Sequence, residues 1–298
     1  MSYDINVLVG QEQPILSSDE FRNTIEQLPL IDALKPKSGY AWELSYQNPD
    51  TGVYFSFLYK TPSDKLKRNM LDTGLQIKIP CPSPTFVAKE SFPVVVQLAA
   101  KLNLSLLLPS GDLLEKYNAD QLQVMWSECN RFFVKRMARG ESSLKPFYFP
   151  KKTMDAMWQY LAARPALLNR YNPLNIYVPR ILLLRHKHNR FNIYRTAVWS
   201  DLCPSVIPDV DAFIIGQPEQ ILFGHFPRGD FKPVFVAKSV IEEVIQPYLK
   251  TIRVPFEHQI IENTKHLKLP VYKTLAGLLN FSMHDYESAD LEEIIDIK

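Results

Sequence analysis

Few residues in this chain are spaced so that they could do chemistry. His186 and His188 stand two apart, as two metal ligands on one side of a strand would. Arg185 and Lys187 flank them and would repel a cation, and no third ligand is indicated, so no metal site is expected. Nucleophilic catalysis needs a nucleophile, a base and an orienting group within reach. Cys203 with His225 is one candidate pair, and His225 with Asp209 or Asp211 is a candidate hydrolytic site. Neither carries a local motif: there is no Gly-x-Ser-x-Gly elbow and no thiol-enzyme signature. Cys129 reads as a core residue of a helix. Gly216, Gly224 and Gly229 stand singly, so no phosphate loop is formed and no cofactor is expected. Glu242-Glu243 and Glu292-Glu293 are adjacent pairs, which point apart on a helix and make no acid–base dyad.

Charge is more suggestive than catalysis. One basic group is Arg131, Lys135, Arg136, Arg139, Lys145, Lys151 and Lys152. Another is Arg180, Arg185, Lys187, Arg190 and Arg195, interleaved with Phe191 and Tyr194, a pairing that could hold single-stranded nucleic acid. Against this stands a net charge of only +2 over 298 residues, which gives no overall pull on nucleic acid or anionic lipid. The segment from His284 to Ile297 is acidic, with Asp285, Glu287, Asp290, Glu292, Glu293 and Asp296. It reads as a solvated, frayed end, or as a contact for a basic partner.

The elements that must carry these groups follow from periodicity. Residues 4–9 alternate as a first strand, and Ser17 or Ser18 caps a helix from Asp19 to Leu28. Leu30 to Ser38 reads as a loop. Trp42, Leu44 and Tyr46, then Val53, Phe55, Phe57 and Tyr59, alternate as two strands of a hairpin joined by Asn48-Pro-Asp-Thr-Gly52. Asp64 to Asn69 reads as a turn, and Leu75, Ile77 and Ile79 form a third strand. Pro80 to Pro84 interrupts the ladder, a helix runs from Phe92 to Leu102 with Pro93 in its first turn, and Leu104 to Leu108 is a buried strand. Asn118 caps a long helix, with Gln121 as its capping-box partner, and Gly140 ends it. Its apolar stripe reads Leu122, Met125, Trp126, Cys129, Phe132, Phe133 and Met137.

The second half gives a helix over 153–163. Strands follow at 175–184, 191–199, 210–215, 221–226 and 234–237, with Arg185 to Arg190 as a hairpin tip. Helices over 239–249 and 272–281 complete the chain. These predict an α+β fold of mostly antiparallel sheets covered by helices, in two sub-domains: 1–140 and 153–298, with a junction at 141–152. Only three cysteines, Cys81, Cys129 and Cys203, in no paired motif, suit a reducing compartment. With neither a signal-peptide pattern nor an apolar run of membrane length, the expected place is the cytoplasm, with no membrane partner.

Three stretches resemble segments of uncharacterised bacterial cytosolic proteins. They are Tyr46-Gln-Asn-Pro-Asp-Thr-Gly-Val-Tyr-Phe-Ser-Phe57, Phe86-Val-Ala-Lys-Glu-Ser-Phe-Pro93 and Ile207-Pro-Asp-Val-Asp-Ala-Phe213. Some such proteins are associated with polymorphic toxin systems as immunity proteins. The resemblance implies a non-enzymatic protein that binds a cognate secreted toxin and neutralises it. It carries over no binding residue. From charge and exposure alone, the candidate contact residues are Asp50, Asp285, Tyr286, Glu287, Asp290, Glu292 and Glu293. The competing readings are a hydrolase with a non-local His/Asp site and a nucleic-acid-binding module.

Overall fold

Side-chain caps fix where the first long elements begin. In the computed structural model, which describes residues 1–63, 69–141, 146–218, 231–276, 278 and 282–296, Ser17 and Glu20 form a reciprocal capping box at the start of α1 (Ser18–Glu26). The chain is α+β and divides into two compact units, residues 1–155 with 291–298, and residues 156–290. The division falls at 155/156, beyond the expected junction at 141–152. Residues 291–298 belong with the first unit rather than the second.

The first unit is built on a seven-stranded antiparallel sheet. Its strands are β1 (Ser2–Val9), β2 (Ile31–Leu34), β3 (Trp42–Gln47), β4 (Tyr54–Tyr59), β5 (Leu71–Pro80), β6 (Ser105–Leu107) and β7 (Leu113–Leu114), in the order β2-β3-β4-β5-β1-β6-β7. β2 replaces part of the expected loop at 30–38: Ile31 to Leu34 adds to the free edge of β3 even though three of its four side chains are exposed. The hairpin β3–β4 keeps its predicted alternation, yet both faces of β3 are covered. Trp42 stacks on Tyr59 and its indole N–H donates to Ser18 of α1. On the other face the loop before β3 crosses the sheet, pairing Lys37 with the buried Glu43 and Tyr40 with Gln76. Gly74 sits in a bulge of β5 at φ +79°, where a Cβ would fall 2.1 Å from the Lys60 carbonyl oxygen; no other residue fits.

Two long helices complete this unit. α2 (Thr85–Lys101) begins directly after the proline-rich break, seven residues earlier than periodicity alone predicts. Pro93 is therefore inside the helix, not in its first turn. It sits on the exposed side, where the carbonyl it leaves without a donor can meet water. α3 (Ala119–Ala138) is capped by Asn118 as expected, and Gly140 at φ +77° closes it with bonds from Gly140 N–H to Met137 and from Glu141 N–H to Arg136. Its buried line is Leu122, Trp126, Asn130, Val134 and Met137, so polar Asn130 faces in and Phe132 faces out, 58% exposed.

β8 (Phe147–Tyr148) leads into α4 (Lys151–Tyr171), which runs through Pro165 and past the predicted end at Ala163. The second unit holds β9 (Ile181–His186), β10 (Asn189–Trp199), β11 (Ser205–Ile207), β12 (Ala212–Pro218), β13 (Phe231–Ala237), α5 (Lys238–Ile245), β14 (Lys250–Ile252), β15 (His258–Ile261), α6 (Lys268–Leu275) and β16 (Tyr286–Ser288). Residues 175–180, expected in a strand, contribute only a single bridge from Tyr177 to Ser205. The helix expected over 272–281 begins and ends earlier, as α6, with Ala276 as its C-cap. Residues 277 and 279–281, the expected strand at 221–226 and the turn at 64–68 lie outside the described residues. The main sheet has the order β13-β12-β10-β9-β16, antiparallel except for β10 with β12. It is strongly curled: Phe235 and Tyr286, on opposite edge strands, stack with ring centres 5.5 Å apart. β11, β15 and β14 form a second, three-stranded sheet. No described helix is long and apolar enough to cross a membrane.

The acidic tail is ordered, against the expectation of a frayed end. β16 adds to β9, and β17 (Ile294–Ile295) pairs parallel with β8. Asp296 then reaches the start of α2, whose own N-cap, Pro84, offers no side-chain acceptor. Its carboxylate accepts from the Thr85 N–H at 3.0 Å and the Thr85 hydroxyl at 2.6 Å, and that hydroxyl also accepts from Lys151 at 2.9 Å. A residue 211 positions away thus does the capping.

Replacing Asp296 by Ala strands the Thr85 donors in a buried place and is expected to cost about 1–3 kcal/mol in urea unfolding. The pH dependence has a definite sign. Burial pushes the Asp296 carboxyl above its ordinary value, against the pull of Thr85 and Lys151. Its contribution to stability is therefore complete below the unfolded value of about 3.9 and declines as pH rises through the raised folded value. The stability of the protein minus that of Asp296→Asn should fall across the weakly acidic range. A difference that grows with pH instead would show that the carboxylate is the better-held form.

Candidate functional site

The two aspartates of the hydrolytic reading are engaged with cations. Asp211 precedes β12 and Arg195 lies on β10, and their backbones are bonded to each other. Arg195 is 7% exposed, and its guanidinium grips both Asp211 oxygens, with Nη2 to Oδ1 at 2.7 Å and Nε to Oδ2 at 3.3 Å. Its Nη1 donates to the Asp209 carbonyl at 3.0 Å. Lys238, the first residue of α5, donates to the Asp209 carboxylate at 3.0 Å. Burial raises the Asp209 carboxyl, but Lys238 and Arg195 more than offset it and hold it below its ordinary value. A carboxylate so held is a poor proton acceptor, and these bonds tie β10, β12 and α5 together. Their proposed partner His225 lies outside the described residues.

Asp209 and Lys238 also line a cavity of about 340 Å³ in the second unit, with Tyr160, Phe256, Glu257 and His258. His258 was not singled out by the sequence; it opens a short strand with no motif around it. It is 6% exposed and both ring nitrogens are engaged. The Phe256 carbonyl, 2.8 Å from Nδ1, can only accept, so Nδ1 carries the proton. Nε2 then accepts from the Tyr171 hydroxyl at 2.7 Å. Burial pushes the Tyr171 phenol up, which keeps that proton in place. The imidazole works here as a fixed strut between α4 and β15.

The basic hairpin and the acidic strand, read from sequence as two separate contact surfaces, meet in one sheet. Lys187 and His188 form the turn between β9 and β10. Arg185 pairs with Glu287 at 2.8 Å, and Lys187 donates from its ammonium to the His284 carbonyl at 2.6 Å and from its backbone to Asp285. Tyr286 lies against His186, with ring centres 5.1 Å apart, and against Phe235. Tyr194 packs on Phe235, while the side chains of Arg190 and Phe191 lie outside the described residues. His186 Nδ1 accepts the His188 N–H at 3.1 Å, and among the described residues no three metal-ligating side chains gather.

The remaining predicted contact residues are dispersed. Asp290 is exposed and ends the second unit. Asp50 is half-buried in the β3–β4 loop, its N–H bonded to Asn48. That loop lies against the returning segment: Gly52 faces Leu291, and the Tyr54 hydroxyl donates to Glu292. Glu293 is half-buried.

A different surface emerges on α3. Val124, Glu128, Phe132, Lys135, Arg136 and Arg139 are all exposed along one side of the helix. Val124 is 60% and Phe132 58% exposed, about two turns apart. Phe132 meets Phe133 edge-on, and the Arg136 guanidinium lies 5.9 Å from the Phe132 ring centre. The first basic group of the sequence therefore borders an apolar anchor. Lys145 lies outside the described residues, and Lys151 donates to the Thr85 hydroxyl.

Removing the Arg195 side chain would leave Asp211 without its main partner. Arg195→Ala should lower stability by about 2–3 kcal/mol, less than a fully buried pair because Asp211 is one-third exposed. Chemical denaturation would check this, and an unchanged midpoint would show that the guanidinium is not what joins β10 to β12. Comparison with family models, with curated proteins and with solved structures finds no match to this chain.

Proposed function

We propose that this is a non-enzymatic binding protein that engages an acidic protein partner through the outer side of α3. The exposure of Val124 and Phe132 on one side of a helix that ends in Lys135, Arg136 and Arg139 carries this reading. Large apolar side chains held out by a rigid helix are the usual anchors of a protein interface, and arginine around them supplies charge-assisted contacts at the rim. Basic residues at the C-terminal end of the helix also suit its dipole, so they are stable there without a partner.

A protein fits this surface better than a nucleic acid. Glu128 stands between Val124 and Phe132, and Glu141 pairs with Arg136 at 2.8 Å, so a phosphate backbone would meet carboxylates along the stripe. An aliphatic anchor such as Val124 also offers nothing for a base to stack on. The complementary surface is an apolar pocket ringed by Asp and Glu. The resemblance to immunity proteins supplies the partner's role: a toxin, blocked by occupation of its surface.

The test uses the product of the adjacent gene as the probe. Cells expressing it should grow when this protein is co-expressed, and the two should purify together. Phe132→Asp should weaken that complex roughly 30-fold or more while leaving the thermal midpoint nearly unchanged, because the ring is largely in solvent. Arg139→Glu should weaken it further and reduce its salt dependence. Equal growth arrest with and without this protein, or equal binding by Phe132→Asp, overturns the reading. Retardation of a single-stranded oligonucleotide that Phe132→Asp abolishes would move the assignment to nucleic acid.

A further inference from the structure

Cys81 follows β5 and Cys129 lies on α3, yet the fold sets them side by side. Asn130 is the clamp. Its Oδ1 accepts from the Ser83 N–H at 3.1 Å and from the Cys81 thiol at 3.5 Å, and its Nδ2 donates to the Ser83 carbonyl at 2.8 Å. These bonds hold the turn at 81–83 against α3, next to residue 129. The thiols of Cys81 and Cys129 interact side chain to side chain. Cys81 is buried completely, whereas Cys129 is partly exposed.

We propose that Cys81 and Cys129 are a peroxide-responsive thiol pair that forms a reversible disulfide, with Cys129 as the attacking and Cys81 as the resolving sulfur. Exposure sets the order, since a small hydroperoxide reaches Cys129 first. Electrostatics agree: interaction with Cys81 holds the Cys129 thiol below its ordinary value, and the same interaction, with burial, pushes Cys81 up. In the first step the Cys129 thiolate attacks hydrogen peroxide. An S–O bond forms, the O–O bond breaks, and the departing hydroxide takes up the thiol's proton as water. In the second step Cys81 gives up its proton and attacks the Cys129 sulfur. An S–S bond forms, the S–O bond breaks, and hydroxide leaves with that proton as a second water. Two thiols and one peroxide become one disulfide and two waters. In a reducing compartment such a bond is transient, which suits a sensor.

Cys203 is a control inside the same molecule. Burial pushes its thiol up, and its own carbonyl, not its sulfur, receives the Trp199 indole N–H. The reduced full-length protein is treated with equimolar hydrogen peroxide, quenched with an alkylating reagent and mapped by peptide mass spectrometry. The expected product links the peptides of Cys81 and Cys129, is reversed by dithiothreitol, and leaves Cys203 alkylated. In Cys81→Ser, a dimedone adduct should appear on Cys129. Alkylation of Cys129 at neutral pH should outpace that of Cys203, whose thiol burial pushes up. Sulfinic acid on Cys129 without a cross-link in the unmutated protein overturns the proposal, as does a cross-link to Cys203 or oxidation of Cys203 first. Because the cross-link is sought in the unmutated chain, misfolding of the serine variant cannot mimic either result.

Discussion

A charge taken out of water must find an opposite charge or a set of donors, and this requirement arranges much of the molecule. Arg195 is enclosed and is met by Asp211 and Asp209. Glu43 is enclosed and is met by Lys37. Asp296 is enclosed and is met by the open end of α2. The pairings of Arg195 and Asp296 join separate elements of the chain, so they also fix topology. The same rule absorbs the basic hairpin and the acidic strand into one another through Arg185 and Glu287. The apolar and basic residues of α3 are arranged differently, with the anchor in solvent and the cations beside it. That difference is the reason to look for a partner there.

Local structure was legible in the residues because local rules set it. Ser17, ahead of acidic Asp19 and Glu20, and Asn118, three residues before Gln121, mark helix starts in the sequence, and each side chain accepts the backbone N–H three residues on. The β3–β4 hairpin follows from period-two alternation around a Pro- and Gly-containing turn. Residue spacing does not show the start of α2, because its cap is Asp296, from the far end of the described chain. β2 is not legible in the sequence, since an edge strand with an exposed side chain at most positions carries little hydrophobic pattern.

Function was less legible, for the same physical reason. Periodicity places both Phe132 and Phe133 in the apolar stripe; α3 instead buries Asn130, whose side chain is needed by Ser83. A polar residue in the buried line shifts the apolar stripe and sends Phe132 outward. The approach of Cys81 to Cys129 depends on that same Asn130 and has no counterpart in residue spacing. His258 likewise gains its two partners only when α4 and β15 are in place.

The membership of residues 291–296 in the first unit bears on how the chain is made. A ribosome delivers β1 through β8 first, then all of the second unit, and only afterwards the strand that pairs with β8 and the carboxylate that closes α2. The earlier half must therefore wait, its helix start uncapped and one short strand unpaired, while some 135 residues of the later half are synthesised. Nascent chains stalled just before Ile294 would hold that waiting form, whose exposed β8 edge and open helix terminus are natural sites for a chaperone to grip.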